Sequence, residues 1–553
     1  MRAIHCSCLL LGLTLIGCDD EASPLPTRDP KFDLVVDVLL DELAQNSSSG
    51  LSIAVMEAGE ITWAEGFGSA SAVADITVEP DTTFQIGSTT KQLTAMSVLR
   101  QVDQGLYSLD DTVAEVLPEF RLASDTNWAK HATVRDLLSH QSGLPDVITL
   151  SGDSADAGLA SYYYDEFAAE QWLMNPPGLF WNYANPNFDL AGLIVEEHDQ
   201  QGRSYPDIIA EDLLAPLGMD RTYPRVADAH AAGGYSSSFG LLSDTVDLGT
   251  FPDWSFESPQ ALTIEDLNDP ASQRPSGGAT FSTPLDMCRW GYFLIHGDAE
   301  IASDGARLEL NTAQVPSLWN DAMHYGLGQE VWSQFSLSVD PFGLGSTEYY
   351  PIRVWEHGGN TLSYTSSLVI LPDHDVVISI LSNGYGDAHT ATQDAVLRAV
   401  LDPLPAPSDY TGPTFDPERV PELAGRYVDP NVMGEILITE GGEYGLQISI
   451  PELEERGYAV TPDLVPLSTH VWLVNIIGFD LDLTFVTNDA GELTPWLRTR
   501  QFVGKREETI ATSSVRTRVR GNPTRIDALL EALRRGDTRR AGDVRVRMLP
   551  PRL

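Results

Sequence analysis

Lysine is almost missing from this chain of 553 residues: Lys31, Lys91, Lys130 and Lys505 are the whole set among 34 basic residues. Arginine therefore carries nearly all the positive surface, and a lysine placed beside a chemically useful group is less easily dismissed as incidental. Cysteine is equally scarce, limited to Cys6, Cys8, Cys18 and Cys288. No Cys/His cluster has the spacing of a zinc site. Positive charge as a whole is short, since 80 acidic residues leave a net charge of −46. That balance speaks against nucleic acid or an anionic membrane surface as a partner. Nor does the apolar run Leu9 to Ile16 reach the length needed to cross a membrane. The remainder reads as a folded soluble protein, 42% hydrophobic and 21% charged, and too long for one ordinary domain.

Arg2 and the apolar run after it read as the start of a signal peptide. The run ends in Leu15-Ile16-Gly17-Cys18, which resembles a bacterial lipoprotein box with Cys18 as the lipidated residue. Cys288 is then the only other cysteine of the mature chain, and no internal disulfide can form. The alternative is a plain secretory signal with an incidental cysteine. The expected location is the cell envelope, periplasmic or surface-exposed, reached by secretion across the inner membrane and held by a lipid anchor.

The stretch that organises the rest is Phe84-Gln-Ile-Gly-Ser88-Thr-Thr-Lys91. Residues three apart share a helical face, so the Lys91 amine can reach the Ser88 hydroxyl. Burial near other polar groups can lower a lysine's pKa and make it a base. Leu93, Met96, Leu99 and Val102 continue with helical spacing. The bland alternative is a serine capping an ordinary helix with a surface lysine one turn on.

Before this stretch, 19–33 reads as a proline-marked tether, 34–43 as an amphipathic helix and 51–68 as a β-hairpin. After it, Thr133 caps a short helix that Gly143 and Pro145 stop. The second chemical stretch is Trp181-Asn-Tyr183-Ala-Asn185. There Tyr183 could act as a base where positive charge lowers its pKa, and Asn185 could hold Lys91 and a substrate amide. A helix is expected over 189–198, loop-like acidic sequence over 225–275, and a helix over 284–296 opened by Pro284. The third chemical stretch is Val354-Trp-Glu-His357-Gly-Gly359-Asn360, whose glycines would let a substrate backbone come close. Two adjacent antiparallel strands and a helix over 389–401 follow.

Four prolines between 403 and 413 mark a linker, and short alternating runs over 418–507 suggest a small all-β domain. From Ala511 onward eleven arginines face four acidic residues, with one helix expected over 526–535.

Ser-x-x-Lys, Tyr-x-Asn and His-x-Gly, in that order, resemble the penicillin-recognising serine hydrolases. The similarity is to the class C β-lactamase-related group, with D-Ala-D-Ala carboxypeptidases, D-aminopeptidases and family VIII esterases. It covers about 35–402 and includes Leu137-Leu-Ser-His-Gln-Ser-Gly-Leu-Pro-Asp146. The resemblance implies an α/β (α+β) fold: an antiparallel sheet flanked by helices, plus a helical subdomain. The 418–510 segment more loosely resembles the lipocalin-like domain of some of these hydrolases. The expected plan is 1–18 signal, 19–33 tether, 34–402 hydrolase, 403–417 linker, 418–510 lipocalin-like domain and 511–553 Arg-rich tail.

Carried over, Ser88 is the acylated nucleophile, activated by Lys91 and Tyr183. Asn185, His357, Gly359 and Asn360 bind substrate, and the N–H groups of Ser88 and Asn360 form the oxyanion hole. No metal or organic cofactor is implied. His357 stands where β-lactamases usually carry lysine, and Leu362-Ser363 where relatives carry Pro-Gly. A neutral histidine holds a carboxylate less firmly, which leans away from antibiotics. The expected activity is hydrolysis of a D-amino-acid or cell-wall peptide, peptidoglycan included, or of an ester. The alternatives are a family VIII-type esterase, a β-lactamase, or a catalytically silent envelope binding protein. An oligomer is compatible with the sequence.

Overall fold

The computed structural model describes residues 25–46, 48–71, 75–146, 158–236, 280–317, 319–337, 348–361, 364–384, 389–507 and 518–535. Cys18 with the signal segment, residues 237–275 and Leu362-Ser363 lie outside them.

Helix α1 (Asp33–Gln45) leads into the hairpin of β1 (Gly50–Glu57) and β2 (Glu60–Ser71). Ala58 and Gly59 turn it, both at positive φ, as a two-residue hairpin loop requires. With β3 (Ile76–Thr77), β4 (Val315–Pro316), β5 (Met323–Tyr325), β6 (Glu330–Trp332), β7 (Val354–Asn360), β8 (Thr365–Leu371) and β9 (Val376–Ser382), they form a nine-stranded sheet in the order β3-β2-β1-β9-β8-β7-β6-β5-β4.

The pairings that fix the sheet's middle, β1 with β9 and β7 with β8 with β9, are all antiparallel. Every residue of β9 is buried because both faces are covered. Val376, Ile378 and Ile380 pack with α1 residues Val35 and Leu39 and with Val396 and Leu397 of α5 (Thr390–Val400). Val377 and Leu381 face the other way, into the cluster that holds Trp290 and Phe293 of α4 (Pro284–His296) and Leu93 and Met96 of α2 (Thr90–Asp103). The same cluster contains the helical residues between 105 and 235, including α3 (Asn185–Glu197). Within the stretch expected to be loop-like, Val226–Ala232 is a helix anchored by buried Ala229.

Beyond the proline-rich segment the chain forms β10 (Gly425–Asp429), β11 (Gly434–Glu440), β12 (Leu446–Ser449), β13 (Val465–Pro466), β14 (Val471–Ile476), β15 (Phe479–Thr487), β16 (Leu493–Arg498) and β17 (Val503–Arg506). Their order is β12-β11-β10-β17-β16-β15-β14-β13. The two ends approach one another where Ile448 N–H donates to Pro462 O at 2.8 Å and Leu464 N–H to Leu446 O at 3.1 Å. The sheet thus curls into a half-barrel around Tyr427, Ile436, Trp472, Leu483 and Phe485.

Within the Arg-rich end, the described residues 518–535 belong to this unit. Ile526 and Leu530 of α6 (Pro523–Arg535) are buried in the barrel core, while Arg518 and Arg520 pair with Glu452 and Glu455. Apolar residues four apart gave the helix a face to bury, which the count of arginines alone conceals.

Candidate active site

Ser88 lies on a 3₁₀ turn, Gly87–Thr89, immediately before α2 rather than inside it. The turn preserves the reach that the spacing predicts: Lys91 Nζ donates to Ser88 Oγ at 3.0 Å. Three polar contacts tie the turn to the central sheet. Thr89 Oγ1 donates to His357 O at 3.2 Å, Ser366 Oγ donates to Ile86 O at 2.7 Å, and the Thr89 and Ser366 hydroxyls meet at 2.8 Å. Gly87, at φ +49°, lies so close to β7 that a Cβ on it would stand 2.9 Å from the Asn360 N. This brings the Asn360 N–H up to the Ser88 turn.

Gly359 has a different role from the one its sequence suggests. A Cβ there would meet Ile86 O at 2.0 Å. Its bare face thus accommodates the protein's own turn, not a substrate backbone.

Asn185 opens α3, four residues before the expected start, because Pro186 is tolerated in a helix's first turn. Its Oδ1 accepts from Lys91 Nζ at 2.7 Å. Its N–H and Nδ2 both donate to Asp146 Oδ1, at 2.8 and 3.1 Å. Asp146 in turn receives Arg500 Nε on its other oxygen. Arg500 comes from the turn between β16 and β17, and its guanidinium lies 4.6 Å from the centre of the Tyr183 ring. Lys91 Nζ is 4.9 Å from that same ring. The aromatic residues His140, Trp181, Tyr325 and His357 also surround Tyr183.

Lys91 is wholly buried, and its pKa is lowered to about 7. Loss of hydration is the largest cause; Asp189 opposes it, Arg500 adds to it, and Asp146 opposes it. Near neutrality a large share of Lys91 is therefore an unprotonated amine able to accept a proton.

His357 is also buried, 4% exposed, and both ring nitrogens are engaged. Nδ1 is 2.6 Å from the Gly358 carbonyl, which can only accept, so Nδ1 carries a proton. In the neutral ring Nε2 then accepts from the Tyr325 hydroxyl at 3.2 Å. Asn360 Oδ1 accepts from Thr365 Oγ1 at 2.8 Å, which fixes the end of β7.

Ser88, Lys91, Tyr183, Asn185, His357, Gly359 and Asn360 thus converge on one site from three separate segments. Sequence reasoning gave no role to Asp146, Tyr325 or Arg500. Asp146 closes a stretch already singled out by its resemblance, so its place was within reach. Arg500 carries no such signal: it sits 354 residues from its partner, in another domain.

Residues 36–402 match the family model for Beta-lactamase. The chain belongs to the Beta-lactamase family. Within this family it is 29% identical over 309 residues to Penicillin-binding protein 4 of Amycolatopsis lactamdurans, covering 56% of this chain and 74% of the relative. It is 31% identical over 345 residues to the unguisins hydrolase ungD' of Aspergillus campestris, covering 59% of each. Among solved structures, the octameric penicillin-binding protein homologue from Pyrococcus abyssi aligns with a TM-score of 0.52 at 19% identity, over 85% of this chain and 99% of that one. SurE aligns with a TM-score of 0.59 at 21% identity, over 86% and 99%. At these identities the two structures speak for the fold, C-terminal half-barrel included.

Proposed function

We propose that this member of the Beta-lactamase family is an extracytoplasmic serine hydrolase that works through an acyl-enzyme on Ser88. The observation that carries the reading is Lys91: wholly buried, with a pKa lowered to about 7, and bonded at once to Ser88 Oγ and Asn185 Oδ1. Lys91 takes the hydroxyl proton as Ser88 Oγ attacks the substrate carbonyl. The N–H groups of Ser88 and Asn360 receive the developing oxyanion, an interaction worth several kcal/mol in such sites. As the tetrahedral intermediate collapses, Tyr183 passes a proton to the leaving amine or alcohol, and the acyl group stays on Ser88. Water then attacks the ester, Tyr183 accepts its proton, and Lys91 returns the proton it took to Ser88 Oγ as the acid leaves, which restores the free enzyme.

The favoured substrates are peptides with D-amino acids, cell-wall peptides among them, and small esters next. Support comes from the hydrolase and penicillin-binding relatives and from the structural neighbour SurE, solved with D-Leu. His357, engaged through both nitrogens with Gly358 and Tyr325, is a poor substitute for the flexible charged amine of a lysine. That favours a peptidase or esterase over a β-lactamase. Residues 1–18 would direct secretion, with Cys18 as the lipid attachment point.

The test is incubation with a fluorophosphonate and a fluorescent penicillin, read by intact mass, beside Ser88→Ala. An adduct on the wild type that is absent from Ser88→Ala is expected. No adduct with either probe, on well-folded protein, would overturn the reading and leave a silent binding protein.

A further inference from the structure

The C-terminal barrel makes a buried polar contact with the hydrolase site that docking does not require. Its seat on the hydrolase domain is already provided by other groups. Met174 and Phe180 form an apolar cluster with Val486 and Val503, Asn431 Nδ2 donates to Leu173 O at 2.7 Å, and Arg525 covers the Trp172 ring at 4.0 Å. Arg500 reaches further. The turn that carries it is rigid, because Thr499 Oγ1 accepts from the N–H groups of Gln501 and Phe502 at 3.1 and 3.0 Å. One strand residue back, Arg498 is fixed by Asp482 at 2.8 Å, and Asp482 also accepts from Trp319 Nε1 at 3.0 Å. Arg500 is thereby held against Asp146, with the side chains 7% and 1% exposed. Asp146 holds Asn185 through two hydrogen bonds, and Asn185 holds Lys91.

We propose that Arg500 is a positioning residue for Lys91, acting through Asp146 and Asn185, so that the seated barrel completes the proton-accepting machinery of Ser88. This rests on the serine-hydrolase reading above. Without Arg500 the Asp146 carboxylate is buried unpaired, free to turn away from Asn185, and Asn185 no longer presents Oδ1 to Lys91 in a fixed direction.

Charge makes the proposal separable from a merely structural role. The charged or titratable groups facing Lys91 are Asp189 on α3, Asp146 on the loop before it, Arg500 on the barrel turn, and Tyr183; His357 and Tyr325 lie behind Tyr183. Arg500 disfavours the protonated lysine, and Asp146 favours it. Arg500→Gln and Asp146→Asn should therefore move the acid limb of the reaction in opposite directions, although both weaken the relay.

The experiment measures fluorophosphonate labelling rates of the full-length protein against pH, with circular dichroism to confirm folding. Arg500→Gln is expected to label about tenfold more slowly at pH 7, with its acid limb moved up by about one unit. Asp146→Asn is expected to label more slowly, with its limb moved down. The double variant, which leaves no unpaired buried charge, should fold normally and return the limb to within a few tenths of a unit of wild type, roughly. Arg500→Lys, which keeps the charge but not the planar fork, should hold the wild-type limb while losing rate. Limbs that coincide with wild type in both single variants, or a double variant displaced like Arg500→Gln, would overturn the proposal. An unlabelled wild type would overturn the hydrolase reading and this relay with it.

Discussion

The nine-stranded sheet and the eight-stranded barrel are of similar size but follow different sequence logic. At the middle of the nine-stranded sheet both faces are covered, so β9 (VVISILS) is buried at every position and polar only at Ser379 and Ser382. In the barrel one face looks inward and the other outward, and β11 alternates buried with half-buried residues along Gly434, Ile436 and Ile438. The difference sets what each can contribute. A sheet covered on both sides can hold the Ser88 turn against β7 through buried hydroxyls and a bare glycine. The barrel, joined to it along one side, offers a hairpin turn that can be presented to that site from outside. The Ser88 turn belongs to the first region, and Arg500, which reaches its neighbourhood, to the second.

Four measurements would break or sharpen this contrast. The largest effect is expected at Lys91. Lys91→Gln should lower acylation by about 10²–10⁴-fold, the usual worth of a positioned base. In the wild type, with a Lys91 pKa near 7, the labelling rate should fall as pH drops below neutrality, because the protonated amine cannot accept the Ser88 proton. A wild-type rate independent of pH over this range would remove Lys91 from the role of base.

Next come the two cores. Ile380→Ala in β9 and Ile436→Ala in the barrel each empty a buried site and should cost about 2–5 kcal/mol. Guanidinium unfolding followed by tryptophan fluorescence reads both. A cost well below ~1 kcal/mol in the barrel would show that its interior is not close-packed like the sheet's.

A pH effect on stability is expected at Glu356, which pairs across the strands with Glu330. Loss of hydration, then the facing Glu330 carboxylate, raises the Glu356 pKa above the ordinary carboxylate range. A carboxyl raised in the folded state stabilises the fold below its unfolded pKa, and that contribution is lost as pH climbs toward the folded value. Glu356→Gln, which can still accept from Trp332 Nε1, should therefore narrow the gap in Tm between about pH 5 and pH 8. An unchanged gap would place the titration elsewhere.

The smallest effect is expected at Thr133. Its hydroxyl accepts from Asp136 N–H at 3.1 Å, while Asp136 reaches back to Thr133 N–H at 2.9 Å. Thr133→Ala should cost about 1 kcal/mol, measurable as a small loss of Tm with labelling intact.

Much of this was legible in the residues. Pro284 at the first turn marked α4, Thr133 marked the short helix that it caps, and the two antiparallel strands expected after Asn360 are β8 and β9. The barrel was read as all-β from runs at 434–439, 444–450, 470–477 and 481–487, but the two-residue β13 and the strands β10, β16 and β17 lay outside them; in the last three the reason is visible. Gly425, Pro495 and Gly504 break the apolar pattern of β10, β16 and β17, so these strands take their place from neighbours rather than from their own composition. The start of α3 was misplaced because Asn and Pro favour turns as much as helix openings.

By itself the sequence determined the local elements of this protein and the chemical identity of its site. A serine and a lysine three apart can meet in any helical turn, and apolar periodicity selects helix or strand without knowledge of partners. The tertiary structure alone decided that Gly359 clears space for the protein's own Ile86, that Lys91 loses all contact with water, and that Arg500 arrives beside Asp146. Those outcomes depend on contacts between segments hundreds of residues apart, where burial and charge are set by packing and not by the neighbouring sequence.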